Sequence, residues 1–407
     1  MPTERSMPPI WLMGLGNMPV GLGGAVTLIT VPQLLAAKGV SESAIAWVTT
    51  VALIAGFANF LVAPVLDWRM SRRGYAILMS VLAAVLTLAT LLFTDNLPLL
   101  ATLALLLTMA VYLNQAAVGG WLSGVTKPQD KNVLGAWLQA SNVAGFGVGA
   151  ALTIVLLRGL PSPLGPVSVG LLQLVPVPLY LWIPSRPADA HLGHESFAAF
   201  IRDVLTLLRL PAVRWLLLFL TLPAASFALS NTLSGLGRDF GASEDLVGAV
   251  SGIGVAVAGV FGAVVVPALI RGMSPERAYL TIGAGGALFT LAEIVLPRTP
   301  VTFALGMIGQ NGIQAAAFAA VNVMILRSIE EDNPLAATQF ALLSAMTSLP
   351  LMYMQAVDGQ AYGHGGLDSS FLTDALISLT ACAVLGLLLR RRVGRRAAAP
   401  LAQVEPG

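Results

Sequence analysis

Apolar runs of about 20 residues recur along the whole of this 407-residue chain. Each is long enough to cross the hydrocarbon of a bilayer as one helix. In rough bounds they cover 9–32, 44–66, 74–93, 97–120, 133–157, 164–184, 213–235, 245–270, 277–297, 299–326, 335–357 and 371–390, twelve in all. In lipid a backbone can satisfy its own polar groups only as helix or closed barrel, and unbroken runs of this length are helices. A soluble domain carries about 25% charged residues, whereas this chain has 10% charged and 56% hydrophobic residues. The sequence therefore predicts an all-α membrane protein. A net charge of +2 gives no basis for nucleic-acid binding. One cysteine, Cys382, allows no internal disulfide. The first apolar run lacks a small-residue cleavage site and is expected to be retained.

Arginine and lysine set the expected orientation, because short cytoplasmic loops keep them. With both termini cytoplasmic, the inner side holds Arg5, Arg69, Arg72, Arg73, Lys127, Lys131, Arg186, Arg202, Arg209, Arg214, Arg271, Arg277, Arg327, Arg390, Arg391, Arg392, Arg395 and Arg396. The outer side holds only Lys38, Arg158, Arg238 and Arg298. An even number of spans suits that topology. Nineteen arginines against three lysines, with abundant alanine and leucine, resemble the product of a G+C-rich bacterial genome. The expected location is a bacterial cytoplasmic (inner) membrane, crossed many times.

The chain also repeats itself. Shifted by 203 residues, Pro64, Leu66, Met70 and Ser71 meet Pro267, Leu269, Met273 and Ser274. The shift lays the second span on the eighth and six spans on six. Two parallel six-helix halves joined by a longer loop are the major facilitator architecture, with twelve transmembrane helices. The expected units are an N-terminal bundle over 1–184, a cytoplasmic linker over 185–212, a C-terminal bundle over 213–390 and a cytoplasmic tail over 391–407. Within the linker, Phe197, Phe200, Ile201, Val204, Leu205 and Leu208 recur at helical spacing, which predicts an amphipathic helix on the inner surface. Pro211 separates it from the seventh span.

Several strings resemble one group of facilitators. Phe60 to Asp67 (Phe-Leu-Val-Ala-Pro-Val-Leu-Asp), followed by Arg72 and Arg73, resembles the loop signature of the muropeptide permeases. Ala337 to Ala345 (Ala-Thr-Gln-Phe-Ala-Leu-Leu-Ser-Ala), after a short acidic loop, is similar to the AmpG-like permeases more specifically. Glu244 to Gly259, the Met273-Ser274 turn and the Arg202-Asp203 segment are also similar, so the resemblance spans most of the chain. It implies proton-driven import of a cell-wall sugar-peptide. The chain departs from that group at its acids. Where AmpG-like proteins carry acidic residues in the fourth span, this one has Asn114 and Gln115, and the tenth-span Glu-Asn pair is here Gln310-Asn311. A siderophore or another mid-sized solute is therefore an alternative cargo.

Polar groups inside apolar spans mark a path, because hydrocarbon offers them no partners. By analogy of fold, the first, fourth, seventh and tenth spans line the central cavity. Asn17, Asn114, Gln115, Asn231, Gln310, Asn311 and Gln314 are the candidate solute-binding amides, with Tyr112 and Phe227 as aromatic contacts. Gln310, Asn311 and Gln314 can share one helix face. Amides both donate and accept, which suits hydroxyl-, amide- or carbonyl-rich solutes. The alternative for each is a bond between helices. Trp11, Trp121 and Trp215 are expected at the membrane interface. Glu293 in the ninth span, with Asp358 and Asp374 flanking the outer ends of the eleventh and twelfth, are the candidate proton carriers, Glu293 being read as an interfacial acid. Asp67, Arg69, Arg72 and Arg73 are expected to form a cytoplasmic gate.

No catalytic constellation, cofactor motif or metal-ligand spacing appears. His191, His194 and His364 are scattered over loops, and the Gly145–Gly149 glycines follow no strand. The expected activity is secondary transport of a small-molecule solute by a lipid-embedded monomer, with protons as partners and without an enzyme reaction. A drug or metabolite exporter, or a non-transporting sensor, would use the same fold.

Overall fold

The computed structural model describes residues 7–185, 202, 205–225, 228–229, 237 and 239–398. Most of the expected linker helix, together with Phe227 and Asn231, lies outside them. Among the described residues, nine helical segments are long and apolar enough to cross a membrane. In chain order we label α1 (Ile10–Ala37), α2 (Ser43–Asp67), α3 (Arg72–Leu92), α4 (Leu97–Val125), α5 (Lys131–Gly159) and α6 (Leu164–Trp182). The second half holds α7 (Pro211–Thr221), α8 (Asp245–Ile270), α9 (Pro275–Val295) and α10 (Pro300–Ser328). The last apolar segment, Ala336–Val393, is two helices divided at Gly365 and Gly366. Gly366 has φ of 69°, which only glycine adopts without strain. We call the parts α11 and α12. The arrangement accommodates twelve crossings.

Proline explains where spans depart from straight helices. α1 contains a 3₁₀ turn over Leu15–Asn17 and a wide π turn over Val26–Thr30, ahead of Pro19 and Pro32 respectively. It continues to Ala37, past its expected end at 32. α6 divides into Leu164–Leu172 and Val177–Trp182 around Pro176. The seventh span was expected to run unbroken over 213–235. Its helix stops at Thr221 instead, because Leu222 precedes Pro223 and takes extended torsions. At the far end, helix continues past 390 to Ala398.

The repeat is visible in the capped starts of helices. α3 and α9 are both 21 residues long, α4 and α10 both 29, and each pair is offset by 203 residues. Ser71 and Ser274 cap α3 and α9 by accepting from Gly74 N–H and Arg277 N–H. Asn96 and Thr299 cap α4 and α10 in the same way.

Large apolar side chains such as Leu61, Ile253, Phe261 and Val295 stand exposed on the outside of the bundle. That surface suits hydrocarbon rather than water. Inside, one hydrophobic core runs through both halves at the Asp67 end, joining Leu66, Trp121 and Leu134 to Val323, Leu326 and Phe340. Elsewhere each half has a separate core, around Val31, Leu100 and Val111 in the first and around Phe240, Phe303 and Phe371 in the second. Among the described residues the shared core lies at the Asp67 end, while α5 and α8 also meet farther along, where a Cβ on Gly147 would stand 2.5 Å from Ala256 Cβ.

Candidate functional site

The fused end is built on a buried ion pair. α2 finishes in a tight turn over Ala63–Asp67, and Arg69 adopts a left-handed φ of 63° that turns the chain back. Arg69 lies over the Trp68 ring, 4.3 Å from its centre. Arg72 Nε then donates to Asp67 Oδ1 at 2.7 Å, with both side chains buried. Arg72 Nη2 reaches into the second half and donates to the carbonyls of Asn333 (2.9 Å) and Pro334 (2.8 Å). Asp67 reaches the same place. Its carboxylate accepts from the N–H groups of Ala337 (3.2 Å) and Thr338 (2.8 Å) and from the Thr338 hydroxyl (2.7 Å). An anion at the N-terminus of α11 also meets the positive end of that helix.

Lys131 does the converse one loop earlier. Its Nζ donates at 3.0 Å to the carbonyls of Leu326 and Ile329, at the C-terminal end of α10. The α10–α11 connection is thus gripped at both ends by the first half, with each charge matched to the helix terminus it meets. Arg73 stays within its own half and donates to Ile183 O at 3.4 Å. Glycine permits the closest backbone approaches. A Cβ on Gly120 would stand 2.5 Å from Ala337 N, and one on Gly135 would stand 2.8 Å from Val323 N. Of the four expected gate residues, Asp67 and Arg72 reach the second half, whereas Arg69 lies over Trp68 and Arg73 bonds Ile183 O. The sequence reading missed two residues of this contact between the halves: Lys131 counted only as a topology marker, and Thr338 only as part of the Ala-Thr-Gln-Phe string.

The fully buried amides are joined to neighbouring helices. Asn114 Nδ2 donates to Ala76 O (2.7 Å) and Ser80 Oγ (3.0 Å) on α3. Its Oδ1 lies 3.3 Å from the Tyr180 hydroxyl, which donates to Gly16 O at 2.7 Å. Asn17, in the 3₁₀ turn of α1, donates to Leu138 O at 2.9 Å, while its Oδ1 is buried without a partner. Gln310 Nε2 donates at 2.8 Å to both Thr290 Oγ1 and Glu293 Oε2 on α9. Tyr112, Gln115, Asn311 and Gln314 are half-buried, so they keep accessible surface on α4 and α10. Tyr112 and Gln115 are three apart on one helix, Asn311 and Gln314 on the other, and each pair shares a face. Asn311 Nδ2 donates to Met307 O at 2.8 Å.

Four other side chains sit deeper than the sequence implied. Glu293 is 7% exposed and bonded to Gln310, not placed as an interfacial acid. Asp358 and Asp374 do not flank helix ends: helix continues through both, and both are buried. Trp121 is not an interface anchor. It is wholly buried and its Nε1 donates to Pro184 O at 3.1 Å. The repeat makes the Glu293 position informative. Shifted by 203 residues, Thr290, Glu293 and Gln310 correspond to Thr87, Thr90 and Leu107, so the first half carries no acid or amide there.

Comparison with known proteins agrees with this geometry. No curated relative matches by sequence. The human organic anion transporter MFSD10 (TETRAN) superposes with a TM-score of 0.72 at 16% identity, covering 93% of this chain and 100% of that one. The proton:xylose symporter XylE bound to 6-bromo-6-deoxy-D-glucose gives 0.69 at 15% identity, covering 93% and 95%. A bacterial homologue of the iron transporter ferroportin in the outward-facing state gives 0.61 at 17% identity, covering 94% and 99%. Residues 13–331 match the profile of the Major Facilitator Superfamily. With the family profile spanning most of its length and the fold shared end to end, the chain is a member of the Major Facilitator Superfamily.

Proposed function

We propose that the protein is a proton-coupled importer that moves a mid-sized polar or amphiphilic solute, muropeptide-like or siderophore-like, by alternating access. The observation that carries this reading is the core that is continuous through both halves at the Asp67 end and divided elsewhere. Two rigid halves fused at one end can rock about it, and transport follows if the fused end opens as the other closes. The arginine bias supports a cytoplasmic Asp67 end, which would make this arrangement open to the outside of a bacterial inner membrane. The muropeptide-like cargo rests on the Ala337–Ala345 string, and the siderophore-like one on the missing acids of α4 and α10.

Tyr112, Gln115, Asn311 and Gln314 are the candidate contacts for that solute, since they retain accessible surface. Asn17, Asn114 and Gln310 would position those helices and reach the solute only if their present bonds rearrange. Glu293 is the candidate proton carrier. Gln310 joins it to α10, so a change in its charge is felt by a helix of the cavity. The neighbouring fold of the proton:xylose symporter is compatible with that coupling.

Uptake of a labelled muropeptide or ferric siderophore into proteoliposomes tests the reading. Accumulation driven by an inward proton gradient, and lost in a Gln115→Ala, Gln314→Ala double variant at unchanged protein level, is the expected result. Uptake indifferent to pH gradient and membrane potential would overturn proton coupling. Failure of both solutes to exchange would overturn the cargo.

A further inference from the structure

The outer surface of the second half carries a groove. α8 forms one wall from Ile253 to Leu269, α9 the other from Thr281 to Phe289, and α10 the floor from Ile308 to Ala316. Its volume is about 980 Å³ and its lining is almost wholly apolar. It lies on the side of α10 turned away from Asn311 and Gln314, since Gly309, Gly312 and Ala316 share a face that those amides do not. Glycine makes the room. A Cβ on Gly262 would overlap the Gly312 carbonyl, so α8 rests directly on α10 there. A Cβ on Gly285 would meet nothing within 4 Å, because that position opens onto the groove. Shifted by 203 residues, Gly285, Gly309 and Gly312 correspond to Leu82, Leu106 and Met109, so the first half has bulk where the second has space.

Depth and charge say what fits. Thr281 to Phe289 and Ile308 to Ala316 each rise about 12 Å, close to the hydrocarbon of one leaflet, about 15 Å. Leu269 carries the groove down to the α8–α9 turn, at the Asp67 end of the molecule, where Ile270 and Ala278 join the shared core. Two arginines stand at that mouth. Arg271 follows Leu269 by two residues, and Arg277 precedes Thr281 by four, on the same face of α9. Both are exposed, and neither side chain has an ionic or hydrogen-bonding partner among the described residues. Glu276 is the single carboxylate of the turn, which keeps a positive charge. The corresponding first-half positions are Trp68 and Gly74, so charge and groove occur together. An apolar slot one leaflet deep with a cationic mouth complements a lipid, with hydrocarbon for the slot and phosphate for the guanidinium groups. A second copy lying parallel would bring its own arginine-rich turns to the same mouth and be repelled.

We propose that the groove between α8, α9 and α10 is a binding site for an anionic phospholipid, with one acyl chain along the groove and the phosphate on Arg271 and Arg277. The chain fills the space that Leu82, Leu106 and Met109 fill in the first half. Which leaflet supplies the lipid follows from the orientation of the Asp67 end. Binding itself does not depend on orientation or on any solute, and is measured without either.

The purified full-length protein in detergent is titrated with dioleoyl-phosphatidylglycerol or dioleoyl-phosphatidylcholine, and bound lipid is counted by native mass spectrometry. In parallel, phosphatidylglycerol carrying a diazirine on one acyl chain is photo-crosslinked, and its sites are mapped on peptides. Phosphatidylglycerol should bind about tenfold or more tightly than phosphatidylcholine. Crosslinks should concentrate in 253–269, 281–289 and 308–316. An Arg271→Gln, Arg277→Gln variant should bring phosphatidylglycerol down to the phosphatidylcholine level. Gly285→Leu, which fills the groove, should weaken both lipids. Arg158→Gln, an exposed arginine of the first half, should change neither. Crosslinks spread evenly over the apolar surface, a preference that survives the arginine changes, or binding untouched by Gly285→Leu would overturn the proposal. A dimer that Gly285→Leu dissociates would also overturn it, and would give the groove to a second copy. If Gly285→Leu fails to fold, the wild-type crosslink map and the arginine variant decide the question.

Discussion

Thr338 gives Asp67 two hydrogen bonds at once, from its N–H at 2.8 Å and its hydroxyl at 2.7 Å, across the boundary between the two halves. Both bonds are charge-assisted, because the acceptor is a carboxylate paired with Arg72 and out of water.

Asp67→Asn should loosen that end. Removing one partner of a buried ion pair costs about 3–5 kcal/mol, since Arg72 is left charged and buried. That is roughly a hundredfold or more in the ratio of closed to open molecules. Thr126, buried at the end of α4 with an unpartnered hydroxyl, offers a reporter. In a Cys382→Ser, Thr126→Cys background, maleimide labelling should be slow and become much faster with Asp67→Asn. Equal labelling rates would show that the pair does not hold the end shut.

Thr338→Val and Thr338→Ser separate the hydroxyl from the backbone. Valine removes one charge-assisted bond, worth about 1.5–3 kcal/mol, while serine keeps it. The valine variant should label at a rate between wild type and Asp67→Asn, and the serine variant should match wild type.

Lys131→Met strips the caps from the Leu326 and Ile329 carbonyls. A buried acceptor left without a donor costs about 1–3 kcal/mol. Because Lys131 and Asp67 grip opposite ends of one connection, the double variant should fall short of the sum of the single effects in the same labelling assay. Strict additivity would mean that the two ends of the connection move independently.

Gly120→Ala tests packing without charge. Its new methyl would meet the Ala337 backbone, which has no flexible tip to yield. The expected result is faster labelling at position 126 with intact folding. Gly272→Ala has no atom near the added carbon and should behave as wild type.

Glu293→Gln keeps the shape of the carboxyl but carries no titrating proton. Accumulation against a gradient should be lost while exchange of solute across the membrane continues. Loss of both at unchanged protein level would assign Glu293 to helix packing instead.

Length and polarity made the architecture readable. The matched Pro64–Ser71 and Pro267–Ser274 strings mark helix starts whose serine caps depend only on local chain, so the offset survives intact into three dimensions. The Asp67–Arg72 pair was readable for the same reason, as both residues lie within one turn-forming stretch. Thr338 and Lys131 were hidden because each acts more than 190 residues away in sequence, on a helix terminus that no local pattern announces. The amides show a different limit. Spacing places Gln310, Asn311 and Gln314 on one face, yet only the packed neighbours reveal that Gln310 is bonded to Thr290 and Glu293.

The repeat is faithful in length but not in grip. Where the first half has Asp67 and Arg72, the second has Ile270 and Pro275. Neither of these can clasp a helix terminus through an ionic side chain, so the fused end is clasped by the acid and base of the first half alone. The helix grips of that end are thus one-sided: a change at Asp67 or Arg72 has no counterpart in the second half to compensate for it.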